Sequence, residues 1–287
     1  MLSLPLDLLQ NTHNQEVINM VKGSFSLGKV AGISINIHIS WLIIFVLVTW
    51  SLAVAYFPQQ YPNWSAPLYW SLGVGASLLF FTSVLLHELA HSLVARGRGI
   101  PVRDITLFIF GGVSEIAQEP TTAGTELFMA LVGPITSFFL AGVFALLWLL
   151  ARSIGGPLSA LTLYLASINA MLGGFNLIPG FPLDGGRVLR AILWGISGSL
   201  EWATRYASLV GQGIAYLFIL LGIWQVVTGN WINGLWIAFI GWFLDNAAQT
   251  SYRQVAMKRM LSGHTVEQAM NRDCYSIAPT VTLESLI

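Results

Sequence analysis

Apolar residues in this chain are gathered into long, nearly uninterrupted runs, with polar residues collected between them. A helix that crosses a bilayer needs roughly 20 such residues. By this measure the pattern predicts six transmembrane helices, at residues 40–57, 68–95, 126–151, 158–178, 202–227 and 231–247. A Thr-Gly-Asn turn at 228–230 leaves little room between the last two runs, so we expect them to form an antiparallel pair.

Composition and charge placement agree with a multi-pass membrane protein. Hydrophobic residues make up 55% of the chain and charged residues only 9%, whereas a soluble domain carries about 25% charged residues. The net charge of zero gives no sign of nucleic-acid binding. With the N-terminus inside, Arg152 is the only one of the thirteen Lys and Arg residues outside the cytosol. We therefore expect a cell-membrane protein with both termini cytosolic.

The segment between the second and third runs does not have a helical pattern. Residues 105–110 are mostly β-branched or aromatic, two glycines follow, and residues 113–116 resume the pattern. This indicates a short membrane-associated β-hairpin or strand, shielded from lipid, rather than a plain loop. The expected fold is an all-α polytopic membrane protein with six transmembrane helices and this one hairpin. Its expected divisions are a cytosolic segment, the membrane domain and a cytosolic tail, at residues 1–39, 40–248 and 249–287.

A candidate for chemistry lies inside the second run, in the string His87-Glu88-Leu89-Ala90-His91. Ionisable groups at bilayer depth are costly and usually mark a functional site. On a helix the two histidines, four residues apart, share one face. This HExxH pattern is typical of two imidazoles on one metal ion with the glutamate as general base. The alternative, a solvated polar face, fits poorly in such an apolar helix.

A catalytic zinc ion usually takes three protein ligands, so a third ligand is needed. Most other histidines and acids lie in flanks, in loops or at span ends. Asp184 differs, because it follows the fourth run in a segment with two prolines and three glycines between residues 176 and 187. The spacing fits two roles equally well: a carboxylate that turns into the helix bundle, or the N-cap of the next helix.

Three motifs together resemble the site-2 protease family of intramembrane zinc metalloproteases. They are His87-Glu88-Leu89-Ala90-His91, Phe110-Gly111-Gly112, and Asn176 with Pro179 and Pro182-Leu183-Asp184-Gly185-Gly186. The resemblance extends from the first run to about residue 195. It implies that one zinc ion is bound by His87, His91 and Asp184. It also implies that Glu88 is the catalytic base and that Asn176 polarises the scissile carbonyl or binds the substrate backbone.

The resemblance implies regulated intramembrane proteolysis, the hydrolysis of peptide bonds in or near transmembrane segments of membrane-anchored proteins. A substrate helix must unwind before its peptide bonds can be cut. We expect the segment at 105–116 to receive the unwound chain as an added strand. The residues expected to bind substrate are Thr106, Phe108, Phe110, Gly111 and Gly112.

The tail, residues 265–284, resembles the first part of a CBS domain, and we expect the chain to stop inside that domain. The complete module would resemble those that bind adenine nucleotides. Two rival functions remain: a CBS-regulated transporter or channel, which does not explain the HExxH string, and an inactive zinc-binding scaffold, against which Glu88 argues. The expected partners are transmembrane protein substrates and membrane lipid, and the oligomeric state, including a homo-oligomer, stays open.

Overall fold

The structure is a computed structural model that describes residues 23–109, 111–116 and 120–261. In these ranges the chain is mostly helical, with a small sheet. The helices are α1 Ile39–Gln60, α2 Ala66–Gly97, α3 Ala123–Ala151, α4 Gly156–Asn176, α5 Asp184–Ser197, α6 Leu200–Val227 and α7 Trp231–Leu261. The strands are β1 Ser24–Val30, β2 Ile33–His38, β3 Val102–Phe108 and β4 Gly111–Ile116. The second half of α1 includes a π-helical turn at Leu52–Tyr56.

Five of the described helices, namely α1, α2, α3, α4 and α6, are long and apolar enough to cross a membrane. The chain is therefore a multi-pass membrane protein. The sixth predicted run forms the first half of α7, which does not belong to this apolar group. Its apolar residues are interrupted by Asn233 and followed by Asp245 and Asn246. The six-span count thus stays a prediction.

Large apolar side chains point outward in this bundle, as expected where the surrounding solvent is hydrocarbon. Phe139 is 68% exposed and Leu220 is 64% exposed. The contact between α6 and α7 uses small residues, which let two backbones approach closely. A Cβ on Gly222 of α6 would lie 2.5 Å from the backbone nitrogen of Ala238 in α7. Gly241 of α7 faces the backbone of α6 in the same way, so α6 and α7 form the expected antiparallel pair.

The sheet has four strands in the order β1-β2-β3-β4, of which β2 and β3 are parallel and the outer pairs antiparallel. Strands form on both sides of the predicted glycine break, but β1 and β2 were not predicted. Ile33 and Ile35 are buried while Ser34 and Asn36 alternate with them, a strand pattern too short to stand out beside the long apolar runs. The segment before α1 is thus part of a mixed sheet that contacts α1 and α2.

The loop after α4 folds tightly over the first turn of α5. A Cβ on Gly185 would collide with the carbonyl oxygens of Leu177 and Ile178, and a Cβ on Gly180 would lie 2.6 Å from Cα of Gly211 in α6. Only glycine permits these approaches. The loop therefore fixes where α5 begins, and α5 then packs against α3 and α6.

Two predictions concern residues outside the described ranges. The CBS-like segment at 265–284 is one, and Phe110 is the other. Both stay predictions.

Candidate metal centre and active site

The two histidines of α2 and the first residue of α5 meet inside the protein. His87 and His91 are 3% and 4% exposed, and their Nε2 atoms lie 3.2 Å apart. Asp184 Oδ2 lies 3.0 Å from Nε2 of His87 and 3.1 Å from Nε2 of His91. The three predicted ligands thus form a nearly equilateral triangle of donor atoms. Among the described residues this is the group of His, Cys, Asp and Glu side chains placed to hold a metal ion.

The triangle fits a zinc ion in both size and charge. Tetrahedral zinc with Zn–N distances of 2.0–2.1 Å has ligand atoms about 3.3 Å apart, close to the observed distances. Burial raises the pKa of the Asp184 carboxyl, but the imidazoles of His87 and His91 lower it by more, so its pKa falls below the usual range. The group is a carboxylate whose negative charge faces two ring nitrogens, an arrangement that a cation stabilises.

The alternative role of Asp184, as a helix N-cap, is not what the geometry shows. The N-cap position of α5 is Leu183, which makes no side-chain capping bond. Asp184 is instead the first helical residue, and its carboxylate bonds to His87 and His91. The tight loop before α5 turns this carboxylate into the bundle.

Helix α3 supports both imidazoles from behind. Nδ1 of His91 donates to the backbone carbonyl of Met129, which leaves the lone pair of a neutral ring on Nε2, the atom that faces Asp184. Nδ1 of His87 lies 2.8 Å from Oγ of Ser137. Such contacts fix the tautomer and the ring orientation of a metal-binding histidine. Neither Met129 nor Ser137 was predicted to contact the site.

Gly133 of α3 lies directly against the two rings. A Cβ at this position would be 2.6 Å from Nε2 of His87 and closer still to Nε2 of His91. Gly133 is therefore a point of close packing between α3 and α2. The structure shows that the surface it packs against is the pair of histidines, so any side chain here would intrude on the donor atoms.

Glu88 projects from α2 toward the sheet. Its Oε2 accepts a hydrogen bond of 3.2 Å from Oγ of Ser114 in β4, and Ser92 Oγ donates to Ser114 Oγ at 3.1 Å. A Cβ on Gly112 would lie 3.3 Å from Cδ of Glu88, so β4 runs right beside the carboxylate. Ser92 lies one helical turn after Glu88 on the same face of α2. This spacing is the signal in the sequence that could have placed Ser92 beside the Glu88 carboxylate.

The other predicted site residues belong to α4, β3 and β4. Asn176 is the last residue of α4, and its Nδ2 donates to the carbonyl of Leu172 in its own helix at 3.0 Å. Thr106 and Phe108 belong to β3, while Gly111 and Gly112 begin β4. Because β3 is an inner strand, with Thr106 opposite both Asn36 and Val113, its backbone is already paired on both sides.

A buried ion pair joins Glu126 and Arg190, and it was not predicted from the sequence. The sequence pattern places Glu126 at the end of a span and Arg190 among the cytosolic charges. Glu126 is 0% exposed and Arg190 is 8% exposed. Nε of Arg190 donates to Oε1 of Glu126 at 2.6 Å, and Nη2 donates to the same oxygen. The pair joins α3 to α5.

Comparisons with known proteins point to one family. Residues 75–154 and 151–220 match the model of Peptidase family M50. The chain is 36% identical over 269 residues to a Mycobacterium tuberculosis protein named as zinc metalloprotease Rip3, covering 93% of this chain and 68% of that protein. It is 38% identical over 254 residues to a Synechocystis protein named as zinc metalloprotease sll0528, covering 87% and 65% of the two chains.

The solved structure of the site-2 protease from Methanocaldococcus jannaschii has a similar fold. Its TM-score is 0.52 and its sequence identity 29%, over 80% of this chain and 95% of that chain. The family match, the relatives and the histidine–aspartate triangle agree with one another. The chain belongs to Peptidase family M50 and is a zinc metalloprotease of the site-2 protease type.

Proposed function

We propose that this zinc metalloprotease cleaves membrane-anchored proteins within or near their transmembrane segments. The observation that carries the proposal is the position of the donor triangle, because its two histidines are buried in a 32-residue apolar helix. His87 precedes Arg96, near the end of α2, by nine residues, or about 14 Å along the helix axis. A site this far from the helix end is suited to a peptide bond that lies at membrane depth.

The proposed chemistry is peptide hydrolysis by water. A zinc ion held by His87, His91 and Asp184 supplies Lewis acidity and makes water nucleophilic near neutral pH. Glu88 accepts the proton of the attacking water and delivers it to the amine that leaves. The hydroxyl of Ser114, which bonds to Oε2 of Glu88, holds this carboxylate in one orientation while the other oxygen exchanges the proton.

Asn176 is proposed to donate its amide to the scissile carbonyl or to the substrate backbone. It stands eight residues before Asp184, at the point where α4 ends and the tight loop begins. Its Nδ2 must first leave the carbonyl of Leu172, to which it now donates. A donor aimed at a developing oxyanion lowers the barrier by about 3–4 kcal/mol in other hydrolases, enough to outweigh the loss of that local bond.

The unwound substrate is proposed to join the sheet at β4, because β4 is an outer strand of the described sheet. An open strand edge accepts an extended peptide through backbone hydrogen bonds. β4 passes beside Glu88, so a strand added there lies near the metal site. The inner position of β3 changes the expected role of Thr106 and Phe108, which would contact substrate through side chains. Gly111 and Gly112 belong to β4, so their backbone is part of the strand edge that is proposed to pair with substrate.

The proposed topology has six spans with both termini in the cytosol. The first half of α7 is the sixth span, supported by its close packing along α6 through Gly222 and Gly241. We place residues 24–38 with the membrane domain, since β2 pairs with β3. The resemblance of residues 265–284 to the first part of a CBS domain is the support for a CBS module in the full-length protein, and through that module for a regulatory adenine nucleotide.

The test combines metal analysis with cleavage of a single-span substrate by the full chain in detergent or lipid nanodiscs. We expect about one zinc ion per chain, lost in His87→Ala, and cleavage that falls by about 10²-fold or more in Glu88→Gln. Zinc without cleavage of any of a varied set of substrates would instead favour a scaffold. Solute flux that persists without metal would favour a transporter.

A further inference from the structure

The face of α3 that touches the metal centre also carries the buried Glu126. Glu126, Met129, Gly133 and Ser137 are separated by three, four and four residues, so they form one face of the helix. All four are buried. Three of them contact the histidines of α2, as described above, and the fourth binds Arg190 of α5. One helix therefore contacts both elements that supply ligands.

We propose that the Glu126–Arg190 pair positions α5 so that Asp184 meets the two histidines. Arg190 follows Asp184 by six residues in the same helix, about 9 Å along its axis. Its guanidinium also lies over the ring of Phe181, 5.1 Å from the centroid. Phe181 is in the loop that leads into α5. Arg190 thus connects α3 both to this loop and to the helix that Asp184 begins.

Asp184 lacks the supporting hydrogen bonds that α3 gives to the histidines. In the described part of the chain, the hydrogen bonds of its carboxylate go to His87 and His91, which are fellow ligands and not a scaffold. Its place is therefore set by the orientation of α5. A ligand must be held within about 0.5 Å of its working position. The two bonds from Arg190 to a single oxygen of Glu126 supply a directional constraint that apolar packing alone lacks.

The nature of the pair favours positioning over stability. Removing two charges from water is costly, and well-packed apolar residues of similar size often give equal or greater stability than a buried ion pair. Oε2 of Glu126 is buried with no hydrogen-bond partner among the described residues, a further cost. Apolar residues could supply the same stability without this cost, whereas they could not set the direction of α5.

The test rests on the proposed metal chemistry and uses the full chain in detergent, stripped of metal and reloaded with Co²⁺ or Zn²⁺. The variants are Glu126→Gln, Arg190→Met and the apolar double variant Glu126→Leu/Arg190→Met. The matched control is Arg152→Met, which removes an arginine that stacks on Trp148 at the other end of α3. Measurements are the zinc affinity by chelator competition, the Co²⁺ absorption spectrum and the thermal unfolding temperature.

We expect each pair variant that folds to bind zinc at least tenfold more weakly and to show an altered Co²⁺ spectrum, while the control matches the parent. The double variant distinguishes positioning of α5 from stabilisation of the fold. It restores apolar packing between α3 and α5 but lacks the directional hydrogen bonds of the ion pair. A double variant with the parental unfolding temperature but weaker zinc binding and an altered Co²⁺ spectrum supports the positioning role of the pair. Parental affinity and spectrum in the double variant would overturn it. A parent chain that binds Co²⁺ but cleaves nothing would contradict the proposed function and leave this metal test valid.

Discussion

The two halves of the metal centre are built in different ways. His87 and His91 stand one turn apart in a continuous helix, so local backbone geometry sets their spacing. Asp184 starts a separate short helix after a loop of prolines and glycines, and its position depends on tertiary contacts. The difference teaches that a sequence motif can specify half of a site locally while the other half exists only after the chain has packed.

The strongest test separates metal binding from proton transfer within the histidine half. Glu88→Gln removes the proposed base but keeps its size, and Glu88 is not part of the His87–His91–Asp184 triangle. We expect cleavage to fall by about 10²- to 10⁴-fold, the usual contribution of a general acid–base group. Zinc content measured on the same preparation should stay at the parental level. Loss of zinc together with activity would mean that Glu88 holds the metal rather than the proton.

A methyl group placed against the histidine half should weaken metal binding. In Gly133→Ala the new Cβ would press on the donor nitrogens of both histidines. Overpacking of this kind typically costs about 1–3 kcal/mol, so we expect zinc to bind roughly tenfold to a hundredfold more weakly. The control is Gly142→Ala in the same helix, where a Cβ meets nothing within 4 Å. Equal zinc affinities in the two variants would refute the close contact.

The support behind the histidine half can be weakened without touching a ligand. Ser137→Ala removes the hydroxyl that lies 2.8 Å from Nδ1 of His87. Loss of such a partner usually lowers metal affinity or activity by about 10- to 100-fold, and we expect the lower end because one imidazole remains held by Met129. Isothermal titration of the metal-free protein measures the change. Ser153→Ala, at an exposed hydroxyl, should have no effect.

The smallest effect is expected at the sheet, which belongs to neither half. Val113 is 53% exposed on β4, and Val113→Pro removes a backbone donor from that strand. We expect cleavage to fall severalfold, on the order expected for losing one or two net hydrogen bonds, with zinc content unchanged. Val113→Thr keeps the backbone donor and serves as the control. Full activity in the proline variant would argue against substrate binding at β4.

The contrast between the halves also explains what the sequence could predict. Spans α2, α3 and α4 lie close to their predicted bounds because long apolar runs carry a strong signal. His87 and His91 follow from helical spacing. The spacing around Asp184 fitted a metal ligand and a helix N-cap equally well. Which role it takes depends on how closely the loop approaches α5, and local sequence does not show this. The resemblance to a family, not the spacing, favoured the ligand.

The features that were missed involve residues distant in sequence. Glu126 and Arg190 are 64 residues apart, and nothing local marks them as partners. The pairing of β2 with β3 joins segments separated by the whole of α1 and α2. Short strands beside such long apolar runs contribute little to a hydropathy pattern. These contacts form only when the bundle brings distant segments together.

The position of β4 beside Glu88 has a consequence for the products of cleavage. A strand that pairs with β4 presents alternate side chains to opposite faces, so sliding it by one residue reverses every side chain, while sliding it by two restores the same contacts. When one substrate is cut at more than one bond, the cut sites should therefore differ by an even number of residues. Mass spectrometry of the fragments would show whether the cut sites are spaced by two residues or a multiple of two.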